Sequence, residues 1–156
     1  IEVLAGAIGT FLVIWTAIKS IKGLAGHSGL LIAVVILIFL LFLYLFILSI
    51  FAGIKLWKGE AKGYKWSKIL QALQIPMLQT KAISYSFTLG LKALVGLIVP
   101  SAAGATAQLS WGIAADVNYH LSFSNPHVAG VAFGINLLAL AFLIILIKAN
   151  KNTISY

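Results

Sequence analysis

The sequence predicts a mainly α-helical integral membrane protein, with four transmembrane helices and a β-hairpin inserted between the third and fourth on the non-cytoplasmic side. Three observations lead there. The 156 residues are 62% hydrophobic and only 9% charged, where soluble domains average about 45–50% and about 25%. Several apolar runs reach the roughly 20 residues needed to cross a hydrocarbon core about 30 Å thick. Residues 83–97 and 107–124 instead alternate apolar and polar side chains, the period of a strand. The length suits one domain, so residues 1–156 are read as a single membrane unit.

The first span covers 3–22, VLAGAIGTFLVIWTAIKSIK, and closes on Lys19 and Lys22. Ala5, Gly6, Ala7 and Gly9 put small residues where another helix can approach closely. The short loop 23–29, GLAGHSG, makes the next span an antiparallel neighbour, and His27 within it reads as a solvated side chain. The second span, 30–54, lies in an apolar run with no charge before Lys55, so lipid is expected around most of it. Residues 55–68, KLWKGEAKGYKWSK, interleave five lysines with Trp57, Tyr64 and Trp66. Basic residues mark the cytoplasmic side and aromatic rings sit at headgroup level, so this loop is assigned to the cytoplasm.

The third span, 66–82, is helical in spacing yet holds Gln71, Gln74, Gln79 and Pro76. Gln71 and Gln74 are three apart and share a helix face, which predicts hydrogen bonding into a bundle, with a kink at Pro76. Asn136 completes this candidate intramembrane polar site. The fourth span, 127–147, contains Asn136 and the GxxxG spacing of Gly130 and Gly134, a close-packing signal between helices. Lys148 and Lys151 follow it and place the C-terminus in the cytoplasm.

The hairpin is read from its two faces. Ile83, Tyr85, Phe87, Leu89 and Leu91 alternate with Ser84, Ser86, Thr88, Gly90 and Lys92, while Leu109, Trp111, Ile113, Val117 and Tyr119 alternate with Ser110, Gly112, Asp116, Asn118 and His120. Between them, PSAAGATA carries the breakers Pro100 and Gly104. A turn centred on Gly104 sets Lys92 opposite Asp116 as a cross-strand ion pair. The rival reading makes 83–99 a membrane helix burying Lys92 at about 3 kcal/mol, and it upsets the even number of crossings between the two cytoplasmic lysine clusters. An isolated hairpin has two unpaired edges, so this one calls for a partner.

Charge and chemistry narrow the function. The net charge of +8 rests on eleven lysines without one arginine, a pattern suited to an anionic leaflet and lacking the arginine forks of a nucleic-acid surface. Lysine to the exclusion of arginine also fits AT-rich coding, pointing to a bacterial inner membrane. There is no cysteine, hence no disulfide or thiolate chemistry. Ser110, Asp116, His120 and His127 match no ordered triad, and His120, Asp116 and His127 lack the spacing of a metal site. No catalytic residue, metal or cofactor is expected. The partners expected are the lipid bilayer and, through the hairpin edges, a protein partner or a second copy. The function expected is non-enzymatic assembly, as a homo-oligomer or accessory subunit; the alternative is a channel or small-solute transporter using the polar third span.

Overall fold

A computed structural model describes residues 2–23, 28–101, 105–123 and 130–153. His27, His127 and Gly104 lie outside these described residues. The two longest apolar runs form α1 (Glu2–Gly23) and α2 (Gly29–Trp57). At 1.5 Å per residue they are about 33 and about 44 Å long. Among the described residues these two helices are long and apolar enough to cross a membrane, a property a signal sequence shares. Most of their surface is left uncovered by the rest of the chain, with Phe11, Leu30 and Leu37 exposed. α1 and α2 pack through Gly6 and Gly9, where a Cβ would run into the Phe46 carbonyl and the Phe46 ring respectively.

The four-span architecture is not what the chain builds. The segment expected as a third span divides into α3 (Ala61–Gln74) and β1 (Pro76–Gln79). Pro76 does not kink a continuing helix; with no N–H and a ring that obstructs the preceding turn, it ends α3 and opens a strand. The segment expected as a fourth span likewise divides into β4 (Gly130–Asn136) and α4 (Leu137–Thr153), whose apolar portion Leu137–Ala149 is shorter than a span. Gly130 and Gly134 therefore sit in a strand, and their GxxxG spacing describes no helix contact.

α2 is turned into α3 by its own ending. Gly59 takes φ 71° and donates to Leu56 O at 3.0 Å, while Glu60 N donates to Lys55 O at 2.9 Å. That double bond is the Schellman arrangement, and glycine suits its left-handed residue. α3 then lays Gly63, Ser67, Leu70, Gln71 and Gln74 inward, leaving the lysines of 62–68 on its outer side.

The alternating segments do form strands, β2 (Ile83–Pro100) and β3 (Gln108–Phe123), paired antiparallel from Ile83 opposite Phe123 to Ile98 opposite Gln108. The rival membrane helix over 83–99 is absent. The hairpin is not isolated, because the four strands join in the order β1-β4-β2-β3. Its register differs by two residues from the expected one: Ala114 stands opposite Lys92, and Asp116 opposite Gly90. β1 and β4 are each antiparallel to β2 and also antiparallel to one another. Two strands that are both antiparallel to a straight third strand would be parallel to each other. β2 must therefore change direction between Tyr85, opposite β1, and Leu94, opposite β4. Gly90, at φ 96°, lies in that interval, and a conformation there that side chains resist is what glycine permits.

The odd-numbered face of the hairpin packs on the helices. The Phe87 ring lies 5.9 Å from Phe42 and 5.5 Å from Phe46, and the Tyr119 ring lies 4.6 and 6.0 Å from the same two. Val117 to Leu121 run beside Val35, Ile38 and Phe39, and Leu89 and Leu91 line the same cleft as Trp57. The ribbon lies against α1 as well as against the Phe42 and Phe46 side chains of α2. The hairpin expected as a separate element beyond the spans is instead one edge of a four-stranded sheet packed on the helices. Past Leu91 the same face continues uncovered, with Leu109, Trp111 and Ile113 exposed by 73%, 78% and 76%.

Candidate functional site

The amides expected to face one another inside a bundle serve the bent strand instead. Between its contacts with β1 and β4, β2 has no neighbour on the side away from β3. Two side chains fill that gap. Gln74 Oε1 accepts from Leu89 N at 2.8 Å, while its Nε2 donates to Leu70 O at 3.2 Å. Asn136 Oδ1 accepts from Ala93 N at 3.2 Å and from Ala139 N at 3.4 Å, the second bond capping the first turn of α4. Asn136 N also donates to Ile75 O at 2.9 Å. Both side chains are buried. Gln79, by contrast, is an exposed residue at the end of β1, opposite Ser84 and Ala132.

Replacing Gln74 by leucine leaves the Leu89 N–H buried without an acceptor, and the expected loss of stability is about 1–3 kcal/mol. Detergent-solubilised protein unfolded by heat or denaturant gives the value. Hydrogen exchange at Leu89 N–H should accelerate in the same variant, while exchange in α1 stays unchanged.

Gln71 belongs to a different cluster, one the sequence reading missed. Its Nε2 donates to Glu2 Oε1 at 3.2 Å, Ser67 Oγ donates to Glu2 Oε2 at 2.7 Å, and Ser49 Oγ donates to Glu2 O at 2.7 Å. The start of α1 is thereby tied to α2 and α3. The donors to Glu2 come from α2 and α3, 47 to 69 residues away in sequence, so no local spacing announced the cluster. Glu2, Gln71 and Gln74 line one side of a cleft of about 650 Å³ whose other walls include Leu4, Ile54, Trp57, Leu91, Phe142 and Ile145.

The other two acids are paired with lysines. Lys55 Nζ lies 2.6 Å from Glu60 Oε2, and this hydrogen bond is the main influence holding the Glu60 carboxyl below its ordinary value; desolvation opposes it, and the charges of Lys55, Lys58 and Lys62 add to the lowering. Lys92 Nζ lies 2.7 Å from Asp116 Oδ2. Because these two residues are not directly opposite, the bond is diagonal, a span a lysine stem can bridge. Tyr85 donates from its hydroxyl to Leu73 O at 2.7 Å, and burial pushes its phenol up to about 12. It therefore remains a neutral donor through the physiological range.

The residues weighed for catalysis are not brought together. Ser110, Asp116 and His120 all lie on β3, where a rise of about 3.4 Å per residue separates the first two by about 20 Å and the last two by about 14 Å. Among the described residues no group of three His, Cys, Asp or Glu side chains is arranged to hold a metal. No family model matches this chain, and no curated protein or solved structure matches it.

Proposed function

We propose that this protein acts by assembly in a membrane: α1 and α2 cross the bilayer, and the outer edge of β3 pairs antiparallel with β3 of a second copy. The observation that carries this reading is the position of that edge. β3 is the last strand of its sheet, sixteen residues long, and among the described residues nothing pairs with its outer side. Its inner half is packed on Phe42 and Phe46, near the middle of α2. In a spanning helix pair that is hydrocarbon depth, where each unpaired N–H or C=O costs several kcal/mol and open sheet edges do not occur.

A second copy fits because the edge is unprotected. Strands exposed to water are blunted by lysine, proline or brevity. β3 contains no lysine, arginine or proline, and its one acid is bonded to Lys92. Antiparallel pairing of identical edges closes around a two-fold axis and leaves neither edge free. The lysine-rich segment between α2 and α3 would face the cytosol by the positive-inside rule.

The test follows from ladder alternation. Leu89 N and Ala93 N point away from β3, toward Gln74 and Asn136. Their opposite residues, Val117 and Ile113, therefore also point their N–H groups outward, and so does Ala115 between them. Ala115→Pro deletes one outward donor and leaves the β2–β3 ladder intact; Ala114→Pro deletes an inward one. Native mass spectrometry in mild detergent should show a dimer for the natural chain and a monomer for Ala115→Pro, with only Ala114→Pro losing strand signal by circular dichroism. A monomeric natural chain with its outward amides freely exchanging would overturn the proposal.

A further inference from the structure

We propose that the cleft headed by Glu2 binds the tail of an amphiphile whose polar end is a protonated primary amine. The first ground is shape and lining. Val3, Leu4, Ile54, Leu91, Phe142 and Ile145 make the walls apolar, and the volume of about 650 Å³ lies within the range of small-molecule sites. Polar groups gather on one side, where Glu2, Gln71 and Gln74 meet, so a ligand has one dry end and one wet end.

The second ground is charge. The chain carries +8, and its other two acids are already bonded to lysines. Glu2 has no ion pair among the described residues; it is held by a neutral hydroxyl from Ser67 and a neutral amide from Gln71. Those two donors orient the carboxylate without neutralising it. A carboxylate has about four acceptor directions, so room remains for a cationic donor arriving from the cleft. Gln74 is neutral and already bonded at both ends of its amide, to Leu70 and Leu89, so the carboxylate of Glu2 is the charged partner the cleft offers.

The third ground is access. The cleft is bounded by the first residues of α1, the last of α2 and the middle of α4. In the membrane orientation proposed above, the ends of α1 and α2 lie at the interface, where an amine head stays hydrated while its chain enters. The site itself does not depend on dimer formation, so it is testable in the Ala115→Pro variant as well.

Binding is measured by isothermal titration of the full chain in neutral-lipid nanodiscs, using dodecylamine, dodecanol and lysophosphatidylethanolamine as probes. Dodecylamine should bind about ten-fold or more tightly than dodecanol, the worth of a charge-assisted hydrogen bond. Lysophosphatidylethanolamine binding as tightly as dodecylamine would identify a lipid headgroup as the source, and weaker binding would identify a free alkyl amine. Glu2→Gln should abolish the preference for amine over alcohol. Ile145→Trp, which fills the cleft without touching the Glu2 bonds, should weaken all three probes. Equal affinity for amine and alcohol, or a preference that survives Glu2→Gln in folded protein, would overturn the proposal.

Discussion

Phe46→Ala is expected to destabilise the fold by about 3–5 kcal/mol, the range found when a fully buried aromatic ring is removed and its cavity cannot collapse. Phe46 is 0% exposed, and its ring is the point where three separate elements meet. It lies against Gly9 of α1, and on the sheet side it lies 5.5 Å from the Phe87 ring and 6.0 Å from the Tyr119 ring. A helix pair of this length can persist in lipid without the sheet, but the sheet has no other comparable aromatic seat than Phe42 and Phe46. The variant should therefore lose strand signal and near-ultraviolet aromatic signal while keeping helical ellipticity. Phe51, 57% exposed on the same helix, supplies the comparison: Phe51→Ala should change stability by less than about 0.5 kcal/mol. Equal effects at the two positions would mean that lipid contact, and not the sheet, holds α2.

Much of this was readable from residue types. The runs at 3–22 and 30–57 became helices because each is long, apolar and free of proline. The period of two over 83–97 and 107–124 became paired strands because only an extended chain sorts those residues onto two faces. What misled was the rule that roughly 20 apolar residues make a span. Residues 127–147 satisfy that count, yet a continuous apolar run cannot distinguish a buried strand from a helix. Asn136 held the missing signal: an asparagine directly before LLALAFLIILIK is a helix-start residue, and its side chain does cap α4 at Ala139 N. Pro76 held the other, since the amphipathic pattern of α3 stops just before it. Once those two segments turn into short strands, the even-crossing argument that set the hairpin on the far surface loses its premise. The ion pair shows a milder version of the same limit. Side-chain chemistry named Lys92 and Asp116 correctly as residues that could meet, but the register depends on the turn, and Lys92 faces Ala114. The Glu2 cluster lay beyond sequence reading because its donors come from residues 49, 67 and 71, on two other helices.

The crossing of α2 and α3 leads to the second large effect, at Gly63. A Cβ at this position would overlap the Leu56 amide nitrogen and the Lys55 carbonyl carbon. Those obstacles are backbone in the last turn of α2, so no side chain can swing aside. The turn linking the helices is equally fixed, since the Gly59 and Glu60 amides are bonded to Leu56 and Lys55. Gly63→Val must push α3 away from α2, and with it Ser67, Gln71 and Gln74, whose bonds to Glu2 and Leu89 depend on that approach. Overpacking alone costs about 1–3 kcal/mol, and three strained hydrogen bonds add about 0.5–1.5 kcal/mol each, so a total near 4 kcal/mol is expected. Gly29→Val serves as the comparison, because a Cβ there meets nothing within 4 Å. Thermal unfolding in detergent should separate the two variants widely. A Gly63→Val protein as stable as the parent would show that α3 can leave α2 without disturbing the sheet, and would remove the basis for treating Gln74 as a support of the bent strand.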